Sequence, residues 1–255
     1  MPGSYGLTMR LLLIGCGLLL RELSDAIVRS PHLVDAKFLP AGLHDTGAKS
    51  MRQRLQQEID ATNTSGYDAI VLGYALCGTG IAGLQAPAIP LVLPRAHDCI
   101  TLLMGSREAY SEYFKANTGV YFRSVGWMER AREMHDQLGA NGLSQDRDAL
   151  IARYGEDAGQ YLYEEATRYR TNYRKLTYIR TGSEFDDHFA EQAQAEASEN
   201  NWAYEEMAGD LTLFRRLLAG DWHSDFLIVP PGHEITATYD DEIVRAVASN
   251  SPPTR

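Results

Sequence analysis

The chain has 255 residues, of which 44% are apolar and 23% are charged, and its formal net charge is −10. This length is enough for one large domain or two smaller ones, and the composition is that of a globular protein. The acidic balance argues against nucleic acid or an anionic membrane surface as the main partner, because both are bound through basic patches.

No segment of the sequence predicts a membrane span, since no apolar run approaches the roughly 20 residues that a spanning helix needs. The apolar stretch 9–20 is short and is interrupted by Gly15 and Gly17, which predicts a buried strand and a helix start rather than a signal peptide. Without a secretion signal, we expect a cytoplasmic protein. In that reducing compartment its three cysteines are expected as metal ligands, catalytic groups or core residues rather than as disulfides.

Strands and helices are predicted to alternate along the first half of the chain. The apolar run 11–14 is typical of a strand buried on both faces of a parallel sheet. Helical periodicity follows at 18–29, where apolar residues fall on one face. The next elements are strand 33–39, helix 50–61, and strands 67–74 and 89–94. This alternation predicts an α/β fold, with a mostly parallel sheet and flanking helices.

The second half of the chain begins with a helix and returns to alternation. A helix is predicted at 100–116, a strand at 120–125 and a polar helical connection at 126–175. Alternating strands and helices then follow at 176–180, 185–200, 202–207, 210–219 and 225–229. These late strands either form a second sheet or extend the first one.

We therefore expect two α/β halves around a crevice. The first half is 9–125 and carries the cysteines, the helical connection is 126–175, and the second half is 176–248. Residues 1–8 and 249–255 are expected as flexible tails. In open α/β sheets, ligands bind in the crevice beyond the carboxyl ends of the strands, so candidate site residues are sought there.

Every cysteine of the chain comes shortly after an apolar strand-like run. Cys16 follows the first predicted strand, Cys77 the third and Cys99 the fourth. If these strands are parallel neighbours, their carboxyl ends meet at one edge of the sheet. The sequence therefore predicts that the three thiols share one site. Taken singly, each cysteine is better explained as a buried core residue.

Histidines occupy comparable positions, which favours a metal site. His97 follows the fourth strand and His44 the second, with His44 the weaker candidate. Thiolate and imidazole are the preferred ligands of Zn²⁺, and three thiolates can also hold a [4Fe–4S] cluster with one iron left open. We predict metal ligation by the three cysteines, with His97 as a fourth ligand or as an acid/base, and leave the choice of metal open.

Further polar residues near this position are candidates for catalysis. Asp98 is predicted either to orient a metal ligand or to cap the helix that starts at residue 99. Arg95 either binds a substrate carboxylate or phosphate, or pairs with a surface acid. His233 and Glu234, after the last strand, either reach the crevice or belong to a rigid Pro-Pro-Gly turn.

Glycine-rich segments flank two of the cysteines. Residues 78–83, Gly-Thr-Gly-Ile-Ala-Gly, match the dinucleotide fingerprint, but the next strand starts too soon for the crossover helix that such a site requires. We expect instead that these loops either let backbone approach a cofactor closely or form tight turns. The glycine-loop residues predicted to bind a cofactor are Gly15, Gly17, Gly78, Thr79 and Gly80.

A metal-free cysteine nucleophile is a further possibility. Cys99 at a helix N-terminus would have a lowered pKa, and Cys77 precedes a glycine-rich turn in the manner of a nucleophile elbow. His97 would serve as the base. This hypothesis leaves Cys16 without a role, so the metal site is preferred.

Motifs spread over most of the chain resemble one family. Gly-Cys-Gly lies at 15–17, Leu-Cys-Gly-x-Gly at 76–80 and Arg-x-His-Asp-Cys-Ile at 95–100, with further matching segments at 126–127, 209–222 and 226–232. This set resembles an uncharacterised family of bacterial and archaeal proteins known only as a domain of unknown function. The resemblance implies one intact unit. It also implies a link to corrinoid methyltransferase systems, hence one-carbon metabolism and a corrinoid or methyltransferase partner protein.

These observations lead to three functional hypotheses. The leading one is a metal-dependent enzyme, a transferase, lyase or hydrolase, that uses Zn²⁺ or an iron–sulfur cluster to polarise a small-molecule substrate. The second is a non-enzymatic metal or cofactor carrier of a methyltransferase system. The third is the metal-free cysteine enzyme.

Overall fold

The computed structural model of the chain describes residues 8–131, 133–134 and 146–249. Within them strands and helices alternate, which confirms the predicted α/β class. The strands are β1 (Arg10–Cys16), β2 (Leu33–Leu39), β3 (Ala69–Gly73), β4 (Leu91–Pro94), β5 (Val120–Arg123), β6 (Lys175–Arg180), β7 (Ala203–Ala208), β8 (Phe226–Val229), β9 (His233–Ala237) and β10 (Val244–Ala248). The helices are α1 (Leu20–Arg29), α2 (Ala48–Asp60), α3 (Cys99–Leu103), α4 (Arg107–Ala116), α5 (Val125–Glu129), α6 (Arg147–Tyr154), α7 (Glu156–Thr167), α8 (Asp186–Glu199) and α9 (Thr212–Leu218).

A larger sheet has the strand order β2-β1-β3-β4-β8. Strands β1 to β4 are parallel, and β8 adds an antiparallel edge beside β4. Chain direction across the sheet reverses between β1 and β3, because β2 lies on one side of β1 and β3 on the other. Such a reversal is the switch point at which doubly wound α/β sheets bind their ligands.

Both faces of the larger sheet are covered, which explains the continuous apolar runs of its strands. Leu11, Leu13 and Val71 belong to the core that includes α1 and α9. Ile14 and Ile70 belong to the core on the other face, which is closed by α2 and the β9–β10 hairpin.

A smaller parallel sheet has the order β5-β6-β7. One face packs against α8, with Tyr178 fully buried among the alanines of that helix. The opposite face combines apolar packing with polar contacts, since Ile179 and Phe122 belong to the core of the larger sheet. The Tyr113 hydroxyl of α4 lies 2.7 Å from the Thr177 hydroxyl, and Lys175 donates to Glu205 at 2.6 Å.

Strand pairing crosses the predicted halves in both directions. β5, placed at the end of the predicted first half, pairs with β6 of the second, and β8 pairs with β4 of the first. The sequence left open whether the late strands form a second sheet or extend the first. Both occur, since β6 and β7 belong to the smaller sheet and β8 extends the larger one. The predicted domain limits at 125 and 175 stay a prediction.

The predicted helix 100–116 is two helices, α3 and α4. Gly105 breaks it with a φ of +76°, in the left-handed region that favours glycine. A Cβ on Gly105 would also lie 2.5 Å from the Cβ of Asp210. Asp98 caps α3 by accepting from the backbone N–H of Thr101, and Ser106 caps α4 in the same way.

Helices α6 and α7 and a 3₁₀ turn at Arg168–Asn172 confirm a helical character for the part of the predicted connection that follows residue 145. Residues 1–7 and 250–255, which make up most of the predicted tails, and 135–145 of the connection lie outside the described residues. Among the helices that the structure describes, none combines the length and apolarity needed to cross a membrane.

Candidate functional site

Backbone pairing continues past the ends of the central strands and brings the cysteines together. Beyond β3 and β4, the N–H of Leu76 donates to Ala96 and the N–H of Cys77 donates to the carbonyl of His97, both at 2.9 Å. Gly15, which precedes Cys16 in β1, is paired with the last residue of β3. The carboxyl ends of three parallel strands thus lie side by side at the switch point.

Cys16, Cys77 and Cys99 line one small cavity, together with Tyr74 and with His44, whose Nε2 lies 3.1 Å from a carboxyl oxygen of Asp45. We call this space the thiol cavity. The rest of its lining is apolar and consists of Leu18, Leu19, Leu43, Met51 and Ala75. Its volume is about 20 Å³, enough for about one water-sized sphere. The predicted meeting of the three cysteines is therefore found, within a compact apolar enclosure.

The three cysteines are half-buried, and this burial favours the protonated thiols. It raises the pKa of Cys16 to about 11 and that of Cys77 to about 12. Burial also raises the pKa of Cys99 well above its usual value, and the neighbouring thiols and Asp98 act in the same direction. An apolar enclosure disfavours the charged thiolate, and a second thiolate nearby would repel the first.

Cys16 is distinguished by the turn that follows it. The backbone N–H groups of Leu18 and Leu19 point at its sulfur and lower its pKa, although burial has the larger effect. This turn is the 3₁₀ segment Gly17–Leu19 that links β1 to α1. Cys16 is therefore the thiol best prepared to carry negative charge.

Tyr74 contributes a buried hydroxyl that the sequence did not indicate. It follows β3 directly and is 3% exposed. Its hydroxyl has no hydrogen-bond partner of normal geometry among the described residues, although the Cys16 thiol lies close enough to affect it. Burial, followed by Cys16 and Cys77, raises the pKa of this phenol. Because side chains alternate along an extended segment, its position after the last strand residue is the signal that could have identified it.

The structure places His97 and Asp98 outside the thiol cavity. The His97 side chain is exposed and lies 5.9 Å, centroid to centroid, from the ring of Tyr110, and only its backbone carbonyl supports Cys77. Asp98 caps α3 and accepts a hydrogen bond of 2.8 Å from the Tyr110 hydroxyl. The capping interpretation of Asp98 is thus the observed one. His44, the weaker candidate, is the histidine at the cavity.

Arg95 and His233 have structural partners. The Arg95 guanidinium donates to the backbone carbonyls of Phe226, Glu242 and Val244 and so ties β8 to the β9–β10 hairpin. His233 begins β9, and its Nδ1 lies 3.2 Å from the carbonyl oxygen of Pro231 within the turn. Neither side chain lines the thiol cavity.

At most of the glycines expected near a cofactor, the space beside the Cα atom is filled by other parts of the chain. A Cβ on Gly15 would lie 2.9 Å from Leu23, one on Gly17 would lie 2.8 Å from the carbonyl oxygen of Leu39, and one on Gly80 would overlap Met51. These positions therefore let parts of the chain approach each other. Gly78 differs, since no atom lies within 4 Å of its Cβ position.

The segment that carries Cys77 has an uncommon backbone. Cys77, Gly78 and Thr79 have consecutive φ angles of +45°, +60° and +72°. Residues other than glycine rarely adopt this region, and each such case costs of order 1 kcal/mol or more. The turn is held by the Cys77 pairing with His97 and by a hydrogen bond of 3.2 Å from the Gly80 N–H to the Cys77 carbonyl.

As it stands, the arrangement is not a formed metal site. Across the part of the chain that the structure describes, no group of three or more His, Cys, Asp or Glu side chains is arranged to hold a metal ion. The donor types nevertheless fit a soft divalent ion, because three thiols converge on a space of atomic size.

A comparison with family models places the chain in a family. A model described as a protein of unknown function (DUF1638) matches residues 38–218. The chain belongs to the DUF1638 family. Searches of the curated proteins and of the solved structures each found no match. The DUF1638 match contains Cys77 and Cys99 but starts after Cys16.

A second, larger space adjoins the thiol cavity in this DUF1638 chain. It has a volume of about 640 Å³, is lined by aromatic side chains of β5 and of the segment before β6, and shares His44 with the cavity. Its charged lining includes Arg123, which forms a bidentate pair with Glu196, and Arg170. We call this second space the aromatic cleft.

Proposed function

We propose that the thiol cavity binds one soft divalent metal ion, Zn²⁺ in first place, through Cys16, Cys77 and Cys99. The observation that carries this proposal is that all three cysteines of the chain line one cavity of about 20 Å³. A bound Zn²⁺ would supply Lewis-acid polarisation of a small substrate. The protein would then be a metal-dependent transferase, lyase or hydrolase.

The thiol pKa values favour a metal over a metal-free nucleophile. A nucleophilic cysteine needs a thiolate at neutral pH, and these thiols are held neutral by burial. His97, the base of the nucleophile hypothesis, has an exposed side chain. A divalent ion, in contrast, replaces the protons of its thiol ligands and compensates their charge.

The size of the cavity favours a single ion over a [4Fe–4S] cluster. Room for about one water-sized sphere accommodates one ion after small side-chain movements. A cluster of eight iron and sulfide atoms would require the apolar lining, including Met51 and Leu43, to move outward. His44 replaces His97 in the proposal as the fourth ligand or acid/base, because it lines the cavity.

A substrate would approach through the aromatic cleft, since His44 lies on both spaces. The resemblance noted in the sequence supports methyl-group metabolism and a corrinoid or methyltransferase partner protein as the setting. The apolar lining around the half-buried thiols favours a second candidate function, a non-enzymatic carrier that holds the metal for such a system.

Metal analysis of the protein purified without chelator and without oxygen tests the proposal. We expect about one zinc per chain, no visible colour, and loss of the metal in Cys16→Ser and Cys77→Ser. His97→Ala is the matched control and should retain zinc. A brown protein with iron and sulfide would establish the cluster instead, and a metal-free protein that takes up no Zn²⁺ on titration would refute the proposal.

The enzyme and carrier functions are distinguished by whether the protein transfers its bound zinc to another protein, because both functions require zinc binding. A carrier should release its zinc to a competing apo-protein on contact, whereas an enzyme should retain it through many cycles of dilution. Either outcome leaves the metal proposal intact, so the two questions are decided independently.

A further inference from the structure

A second crevice lies at the carboxyl ends of β6 and β7, away from the cysteines. It is formed where α1 packs beside the loops that follow these strands, and it has a volume of about 380 Å³. A neighbouring space of about 660 Å³ shares the loop 181–184 and Arg215 with it. Both volumes are in the range of small-molecule sites. We call the first space the Glu22 cleft, after the acid that lines it.

Glu22 is buried without the partners that a buried acid needs. It belongs to α1 and is 2% exposed, and neither carboxyl oxygen has a hydrogen-bond partner within the described residues. Unpaired buried carboxylates are costly and are rarely found without a function. Since the side chain lines the cleft, a ligand in the cleft can reach it.

Asp186, a neighbouring acid, accepts hydrogen bonds from donors that lie close to Glu22. Asp186 accepts the Tyr178 hydroxyl at 3.1 Å and the backbone N–H groups of Gly182 and Ser183 at 2.9 and 3.0 Å. These donors are thus already used by Asp186. The Thr181 hydroxyl and the backbone N–H of Glu22 itself lie close enough to lower the pKa of Glu22, but neither is a hydrogen-bond partner of its carboxyl oxygens. Glu22 remains beside a satisfied carboxylate, and burial followed by the influence of Asp186 raises its pKa to about 6.

Three arginines line the same cleft, together with three acids. Asp25 accepts from Arg29 at 2.9 Å and from Arg215 at 3.0 and 3.1 Å, so one carboxylate holds two guanidinium groups. This trio carries a net charge of about +1, and each arginine keeps N–H groups that Asp25 does not use. Arg21 adds a third guanidinium, fixed by Glu129 and by the face of Phe185.

We propose that the Glu22 cleft binds a small molecule that carries both an ammonium and a carboxylate group, an amino acid in the chemical sense. The ammonium would supply the hydrogen-bond donors and positive charge that Glu22 lacks. The carboxylate would be bound by the guanidinium groups of Arg29 and Arg215, which suit planar two-oxygen anions.

Helix geometry gives the length of the ligand. Glu22, Asp25 and Arg29 follow each other at intervals of three and four residues, so they share one face of α1. Their positions along the helix axis differ by ~5 Å from Glu22 to Asp25 and by ~10 Å from Glu22 to Arg29. A ligand whose charged groups are separated by a few methylene groups therefore fits the cleft better than the shortest amino acid does.

A graded ligand series tests this proposal with the full-length protein. Binding of glycine, β-alanine and γ-aminobutyrate is measured by ligand-observed NMR, with propylamine and propionate as probes that carry only one of the two charges. We expect saturable binding that is tightest for β-alanine or γ-aminobutyrate, and at least ~10-fold weaker for either single-charge probe.

Variants identify the residues involved. Glu22→Gln keeps the shape of the side chain and should weaken binding of the tightest-binding amino acid by at least ~10-fold. Arg215→Gln should weaken its binding to the same extent, because it removes a guanidinium group that binds the carboxylate of the ligand. Glu191→Gln, an exposed acid of α8 that lines neither space, is the control and should bind as the unaltered protein does.

Two results would overturn the proposal: no saturable binding of any of the three amino acids up to ~10 mM, or binding that Glu22→Gln and Arg215→Gln leave unchanged. Cys16→Ser should bind the amino acid normally, because it alters the other site. Failure of the metal proposal is therefore distinguishable from failure of this one.

Discussion

The thiol cavity and the Glu22 cleft occupy the same place in two different sheets, the carboxyl ends of parallel strands. The thiol cavity is narrow, apolar and about 20 Å³ in volume, and its half-buried ionisable groups avoid a burial penalty by remaining protonated. The cleft is open, is about 380 Å³ in volume and is surrounded by guanidinium groups, yet contains one acid without a partner. Both proposed sites thus have the same topological position, and the side chains on the adjoining turns make them chemically different.

Substitution of Gly126 should have the largest effect on stability and should separate the two regions. A Cβ on Gly126 would overlap the carbonyl oxygen of Leu18, so α5 packs directly on the turn that follows Cys16. We expect Gly126→Ala to lower the free energy of unfolding by about 3 kcal/mol, measured by chemical denaturation. Thiol accessibility should rise while amino-acid binding persists.

Gly78→Ala is the matched control for this substitution. No atom lies within 4 Å of the Gly78 Cβ position, so only the left-handed backbone is penalised, by about 1 kcal/mol. Equal losses for the two variants would contradict the packing role assigned to Gly126.

Thiol reactivity should show the next largest effect. With the pKa of Cys16 raised from 9.0 to about 11, its thiolate fraction at neutral pH falls by about 100-fold, or about 2.7 kcal/mol. Alkylation of the metal-free folded protein, compared with the denatured chain, should be slowed at least to this extent and should keep rising with pH beyond pH 9. A cysteine whose alkylation rate is already constant at pH 7 would instead support the nucleophile hypothesis.

Glu22, the unpartnered acid of the cleft, should make the stability of the protein depend on pH. The pKa of Glu22 is raised from 4.5 to about 6, so the folded state holds this proton more tightly than the unfolded chain does. The contribution of Glu22 to the free energy of unfolding is therefore most favourable below pH 4.5 and declines as the pH rises towards 6. Above pH 6, the buried carboxylate lowers the free energy of unfolding by about 2 kcal/mol.

Glu22→Gln should remove this pH dependence. The variant should be more stable than the unaltered protein at pH 7.5 by up to about 2 kcal/mol, with little difference near pH 4. Denaturation curves at several pH values provide the measurement, and Glu184→Gln serves as the exposed control. A loss of stability at pH 7.5 would mean that the Glu22 carboxylate has a partner in the fold.

The smallest effect is expected for Tyr74→Phe. The Tyr74 hydroxyl is buried without a hydrogen-bond partner in the described structure, so its removal should stabilise the metal-free protein by about 1 kcal/mol. A destabilised variant would show that this hydroxyl is engaged in the cavity. Thermal unfolding of the two proteins without metal is sufficient for the comparison.

The sequence allowed prediction of the larger sheet and of the position of the thiols, because strands covered on both faces leave long apolar runs and the cysteines follow those runs directly. It did not predict which histidine faces inward. The pairing of Cys77 with His97 extends the strands beyond β3 and β4, and the alternation of side chains on this extension turns His97 outward. Such an extension depends on a neighbour in space rather than on local sequence.

Glu22 was missed for a related reason. On an amphipathic helix such as α1 a glutamate is normally a solvated residue, and only the loops after β6 and β7 bury this one. Those loops belong to a sheet formed by distant segments, β5 with β6 and β7. Tertiary burial of this kind leaves no periodic signal in the sequence.

The most direct test of the central claim is X-ray absorption spectroscopy at the zinc edge of the metal-loaded protein. We predict a shell of three sulfur atoms at ~2.3 Å with one lighter ligand, and a fall to two sulfur atoms in Cys16→Ser. Cys16 is the decisive position, because it lies outside the 38–218 match and joins the other two thiols only through the fold. A shell of oxygen and nitrogen alone, or a sulfur count that Cys16→Ser leaves unchanged, would contradict the account.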